Sequence, residues 1–154
     1  MKRAFISAAL GAAALGLVGC AGAPQPKPTQ AIAIVTASRD VNSTQPIVVR
    51  LYELKQADSF NSADYFALVD HEQETLGASL ISRDERELSP GESWTVALTI
   101  PPEAHYVAVI AGYVDIRSAR WKALTPVPDK WLHDRKHAHR LTVQVGRDAV
   151  AFME

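Results

Sequence analysis

Beyond about residue 30, apolar and polar positions alternate with the period of two that a half-buried strand imposes. The clearest run is Trp94 to Ile100, where Trp94, Val96, Leu98 and Ile100 share one face and threonines lie on the other. Ser89-Pro90-Gly91-Glu92 precedes it as a turn, so Arg83 to Leu88 is expected as its hairpin partner. Ala31 to Ala37 is apolar and β-branched. Ile47 to Leu54 places Ile47, Val49 and Leu51 on one face and Arg50 on the other. Tyr106 to Ile116 is more continuously apolar, as a central strand is. Arg140 to Val145, with Leu141, Val143 and Val145 inward, and Ala149 to Met153 complete the set.

One stretch breaks the alternation. Gln56 to Gly77 reads as helical: Asn61 or Ser62 can cap, and Tyr65, Phe66, Leu68 and Val69 form an apolar stripe two turns long. Gly77 suits a helix end. Short, regularly spaced strands with one helical excursion predict an all-β sandwich with a small helical insert at about 56–77.

The N-terminus follows a different pattern. Lys2 and Arg3 precede Ala4 to Val18, which carry no charge, the anatomy of a secretory signal. That apolar stretch is short for a membrane span. It ends in Leu17-Val18-Gly19-Cys20, which resembles the lipobox of bacterial lipoproteins. The resemblance implies cleavage before Cys20, a diacylglycerol on its sulfur and a third acyl chain on the new N-terminus. It also accounts for a single cysteine in an oxidising compartment. One acyl chain holds a membrane marginally, whereas two or more anchor stably. Ala21, where an aspartate is the retention signal, resembles the pattern of lipoproteins sorted to the outer membrane. The expected organisation is a signal peptide at 1–19, a lipidated Cys20 with a proline-rich tether to 30, and a sandwich domain at 31–154. Pro24, Pro26 and Pro28 favour extended geometry in the tether. At about 3.1 Å per residue, ten residues reach roughly 30 Å.

Charge and chemistry narrow the function. The 154 residues hold 16 basic and 17 acidic side chains; loss of Lys2 and Arg3 with the leader leaves 135 residues and a net charge of −3. That balance argues against nucleic acid and against a polybasic grip on lipid headgroups. Without a second cysteine there is no intramolecular disulfide, so one hydrophobic core must hold the fold. His133, His137 and His139 lie close together beside Asp134, but among Lys130, Arg135, Lys136 and Arg140, which repel a cation. Asp84, Glu85 and Glu87 read as a charged strand end rather than paired catalytic carboxylates. No nucleophile elbow and no phosphate loop is present. No catalytic residue, metal ligand or cofactor is expected.

Trp94 fits the inward register of its strand. Trp121 and Trp131 flank Leu124-Thr125-Pro126-Val127-Pro128 and are expected to cover an open end of the sandwich. If instead exposed, they and Tyr113 would form a stacking platform for a glycan or apolar ligand, the alternative to an assembly role.

Several segments together carry a family resemblance. Ala37-Ser38-Arg39-Asp40-Val41-Asn42 is followed by Pro46-Ile47-Val48-Val49-Arg50-Leu51-Tyr52-Glu53-Leu54-Lys55. Then come Ala63-Asp64-Tyr65-Phe66-Ala67-Leu68, Leu76-Gly77, Arg83-Asp84-Glu85 and Pro90-Gly91-Glu92. Val109-Ile110-Ala111-Gly112-Tyr113-Val114-Asp115 and Ala119-Arg120-Trp121-Lys122 close the series. In this order, with the lipobox, they resemble the TssJ (SciN/VasD) family, outer-membrane lipoproteins of type VI secretion systems. The resemblance implies a transthyretin-like β-sandwich, a non-enzymatic role, and binding to the periplasmic C-terminal domain of the inner-membrane protein TssM, which TssL joins. It places the TssM contact on the first loop, here about Asp40 to Pro46, and so on Asn42, Ser43, Thr44 and Gln45. Many members carry a longer first loop; a shorter one reaches less far, so here the contact is expected to shift onto neighbouring loops.

Overall fold

In chain order the strands are β1 (Thr29–Ala37), β2 (Ile47–Leu54), β3 (Leu80–Leu88), β4 (Ser93–Ile100), β5 (Tyr106–Ala111), β6 (Lys122–Pro126), β7 (His139–Val145) and β8 (Val150–Met153). The computed structural model describes residues 26–134 and 136–153; the signal segment, Cys20 and the start of the tether lie outside them. Two four-stranded sheets face each other, with strand orders β4-β1-β7-β8 and β3-β2-β5-β6. All pairings are antiparallel except β1 with β7, which run parallel from Ala31↔His139 to Ala37↔Val145.

The inward faces make one core. Ala31, Ala33 and Val35 of β1 meet Ile47, Val49 and Leu51 of β2, Leu98 and Ile100 of β4, Val107 and Val109 of β5, and Val143 and Val145 of β7. Trp94 is buried in the inward register the alternation assigned it. In β2 the alternation fails after Leu51, because Tyr52 and Leu54 are buried on the outward side. A second core explains this. Three short helices, α1 (Asp58–Ser62), α2 (Tyr65–Asp70) and α3 (Glu72–Leu76), lay Phe60, Leu68 and Leu76 over Tyr52, Leu54, Ala108 and Ile110. That cover also makes β5 apolar on both faces. Among the described residues both cores draw on positions between 31 and 152, so residues 26–154 include both.

Helices of five or six residues do not stand alone in water. Two cations on the sheet hold them. Arg50 of β2 donates to the carbonyls of Leu68 and Val69 at the end of α2, each at 3.3 Å, and pairs with Glu72 at 3.5 Å and with Glu85. Lys122 of β6 donates to the carbonyls of Phe60, Asn61 and Ala63 at 3.1, 2.8 and 2.8 Å. Positive charge at a helix C-terminus meets its partial negative charge.

Several expectations need correction. The insert is three helices, and the side-chain cap is Asp64, whose Oδ1 accepts from Ala67 N at 2.8 Å, not Asn61 or Ser62. Gly77 does end α3, with φ of 50°. The strand from Tyr106 stops at Ala111 rather than Ile116, and an unexpected strand, β6, occupies Lys122–Pro126. Pro126 and the following Pro128 masked it; Pro126 sits at its last position, where no further ladder bond is needed. β3 and β4 are not a hairpin. β3 pairs with β2 and β4 with β1, so Ser89 to Glu92 carries the chain from one sheet to the other. Leu88 and Trp94 both face the core, and a turn signal does not distinguish the two routes.

Candidate docking site at the loop end of the sandwich

The sandwich has two unlike ends. The chain enters at Thr29, whose Oγ1 donates to the carbonyl of Trp131 at 3.2 Å. Trp131 lies on a short helix, α4 (Asp129–His133), is 5% exposed, and stacks on His139 with centroids 4.8 Å apart and an interplanar angle of 9°. This end is therefore closed. The nine residues of β1 then carry the chain about 30 Å to the other end.

There the β1–β2 loop, the β3–β4 turn, the β5–β6 loop and the β7–β8 turn meet. Backbone bonds tie them together: Ser38 N to Val145 O at 2.9 Å, Gly91 N to Ser38 O at 3.2 Å, and Arg120 N to Asp148 O at 2.9 Å. Tyr113 is buried and donates its hydroxyl to the carbonyl of Gly146 at 3.1 Å. Burial, with the charge of Asp148 adding, pushes its pKa upward and keeps the phenol neutral.

Asn42 joins three of these segments. Its backbone N–H donates to Arg147 O at 3.1 Å, its Oδ1 accepts from Val114 N at 2.8 Å, and its Nδ2 donates to Pro46 O at 3.0 Å. With only 6% exposure it positions the loop rather than presenting itself. Ser43, Thr44 and Gln45 are exposed beyond it. Asn42, Ser43 and Thr44 have φ of 48°, 56° and 67°. Asparagine tolerates the left-handed region, but a serine and a β-branched threonine cost about 1–2 kcal/mol each there. Strain of this kind persists where surrounding bonds over-determine it, and it gathers at functional sites.

The strained turn borders a cleft of about 250 Å³ lined by Ser43, Gln45, Val114, Asp115, Arg147 and Asp148 among others. Val114 is 72% exposed, an apolar side chain offered at the rim. The cleft is smaller than the roughly 300–1,000 Å³ typical of small-molecule sites.

The other candidate residues fall elsewhere. Trp121 is half-buried under Tyr65, at 5.4 Å edge to face, with Lys122 Nζ 4.9 Å over its ring. With Trp131 and Tyr113 also buried, these three aromatics form no stacking platform. Trp131 closes an end as expected, whereas Trp121 lies beneath the insert. Among the described residues no group of histidines and carboxylates could hold a metal: His133 is on α4, His137 Nδ1 lies 3.1 Å from the Asp134 carboxylate, and His139, on β7 against Trp131, has its Nε2 2.7 Å from the Asp134 carbonyl. Asp84 and Glu85 alternate across β3, so they do not face a common point. Cys20 is outside the described residues. Among the described residues no helix is long and apolar enough to cross a membrane.

Comparisons with known proteins agree with this fold. The family model for type VI secretion lipoproteins, described by the names VasD, EvfM and TssJ, matches residues 29–148. The solved structure of the type VI secretion lipoprotein TssJ1 from Pseudomonas aeruginosa is 31% identical, with a TM-score of 0.73 over 82% of this chain and 95% of that one. Serratia marcescens Lip, a membrane-bound component of the type VI secretion system, is 23% identical, with a TM-score of 0.75 over 82% and 97%. A structure described as the TssM C-terminal domain from EAEC has a matching chain, 22% identical, with a TM-score of 0.64 over 82% and 98%. No curated protein matches.

Proposed function

The chain belongs to the type VI secretion lipoprotein family, and from that premise we propose that it anchors the secretion machine's membrane complex by gripping the periplasmic C-terminal domain of TssM. Acyl chains on Cys20 hold it in the outer membrane, facing the periplasm. The tether enters the domain at its closed end. The strained loop end then points away from the lipid toward the partner, and through TssM the protein joins TssL.

The observation that carries this reading is the arrangement around Asn42. A turn held left-handed at three successive residues, pinned to two neighbouring loops and bordered by exposed Val114, is a preorganised recognition surface. Recognition residues on loops set by a rigid scaffold lose little freedom on binding. The short first loop is supplemented by the β5–β6 and β7–β8 segments, so the contact is shared among Ser43, Thr44, Gln45, Val114 and Arg147. No catalytic chemistry is assigned.

Membrane fractionation tests the anchor. Cys20→Ser is expected to move the protein from the outer membrane to the soluble periplasm and abolish secretion, with the domain still folded. A serine variant that stays in the outer membrane and supports secretion would remove lipidation from the account.

A further inference from the structure

The mature chain's net charge of −3 hides an uneven distribution. At the loop end the connecting segments balance: Arg39, Arg117, Arg120 and Arg147 stand against Asp40, Glu92, Asp115 and Asp148. The closed end is basic. Between residues 130 and 140 the sequence has four lysines or arginines and three histidines against one carboxylate. Of these, Lys130, His133, Lys136, His137 and Arg140 are exposed. Lys27 of the tether and Lys55 after β2 are exposed at the same end. The connecting segments there add Glu103, Asp129 and Asp134 as carboxylates. Asp134 is already engaged, accepting from Lys136 N at 3.2 Å and lying 3.1 Å from His137 Nδ1.

This basic patch adjoins the tether. The carbonyl of Trp131 on α4 accepts from Thr29, and β7 starts beside β1, with His139 opposite Ala31. Nine residues, 20 to 28, separate the cysteine's backbone from Thr29, a reach of about 30 Å. The patch is also partly apolar. Lys130 and Arg140 line a cleft of about 650 Å³ with Leu124, Leu141, Phe152 and Met153, and Met153 is 53% exposed. Cations beside exposed apolar surface suit the boundary between headgroups and acyl chains. Charge alone would not distinguish lipid from an acidic protein.

We infer that the closed end is a second membrane contact, at which Lys130, Lys136 and Arg140 engage the anionic phospholipid headgroups of the membrane that holds Cys20. The inference rests on the lipid anchor proposed above. Two or more acyl chains already give stable retention, so the headgroup contact sets orientation. The tether keeps the patch close to the lipid, which raises its effective concentration there. With the closed end held at the surface, the loop end stands one strand length away, about 30 Å, and faces the partner. Each lysine or arginine near an anionic surface strengthens binding about fivefold, and the attraction fades over a Debye length of about 8 Å at physiological salt.

The lipidated mature protein, reconstituted in vesicles, tests this. Acylation blocks the sulfur of Cys20, the chain's only cysteine, so an introduced one is the sole free thiol. Ala138 is exposed within the patch and Ser43 is exposed at the loop end. A nitroxide on Ala138→Cys should contact lipid in vesicles containing phosphatidylglycerol and stay in water in vesicles of phosphatidylcholine alone. The same label on Ser43→Cys should stay in water in both. Lys130→Glu combined with Lys136→Glu should weaken the contact about tenfold or more, and high salt should release it. Acyl mass, vesicle flotation and melting temperature should match the parent in that variant. Mass and flotation report the anchor separately: a chain without acyl mass overturns the anchor and the inference with it. A label at residue 138 that stays in water on anionic vesicles, or a contact indifferent to the charge reversals, overturns the inference and leaves the anchor standing. If that label stays in water and the reversed variant still fails in secretion, the patch belongs to an acidic protein instead.

Discussion

The closed end and the loop end of the sandwich are built on opposite terms. At the closed end Trp131 fills the gap between the sheets and stacks on His139, and no described residue there has a left-handed φ outside glycine. At the loop end three successive residues are left-handed, an asparagine is buried to hold them, and an apolar valine stands in water. The difference teaches where stability is made and where it is given up. A fold can keep a costly loop shape only if the rest of the scaffold supplies the margin, and a typical domain has about 5–15 kcal/mol in all.

The comparison can be broken from the stable side first. Trp131→Ala should cost about 3–5 kcal/mol, read as a lower denaturant midpoint, while partner affinity below the transition stays unchanged. Glu53 probes the same side. It is 4% exposed, and burial pushes its carboxyl up from 4.5 to about 7, with neighbouring Ser82 opposing and the charge of Asp84 adding. The folded state therefore holds the proton more tightly than the unfolded one. Its full contribution is present below about pH 4.5 and is lost as pH rises toward 7, an effect on the order of 3 kcal/mol. Glu53→Gln should flatten that slope in melting curves and stabilise the domain at pH 8.

From the loop side, Asn42→Ala strands the Val114 N–H and the Pro46 carbonyl and should cost about 2 kcal/mol. Unlike Trp131→Ala, it should also weaken partner binding, measured below the melting transition. The smallest effect is expected of Thr44→Gly. Relief of left-handed strain outweighs the added freedom of the unfolded chain, so stability should rise by roughly 0.5 kcal/mol. Affinity should fall slightly as the turn loosens. If stability falls instead, Thr44 is not strained.

What the sequence made legible follows from how locally each feature is encoded. β4 was plain because Trp94 to Ile100 is buried on one face only. β2 and β5 were legible as strands, but their second buried face came from the insert, which alternation does not reveal. β6 was hidden because prolines at 126 and 128 read as a loop. The residues of the family resemblance proved to be largely structural: Asp64 caps α2, while Arg50 and Lys122 staple the insert. Such staples join positions up to 62 residues apart, beyond any local signal. The left-handed turn was unreadable for the opposite reason. Serine and threonine disfavour that region, so only the bonds of Asn42 to segments distant in sequence account for it.

The most direct test of the docking claim is a calorimetric titration of residues 26–154 against the periplasmic C-terminal domain of TssM from the same genome. Saturable one-to-one binding is expected, weakened at least about tenfold when Ser43, Thr44 and Gln45 are replaced by glycines and Asn42 is kept. No binding, or binding indifferent to that replacement and to Val114→Ala, would contradict the assignment of the loop end as the docking site.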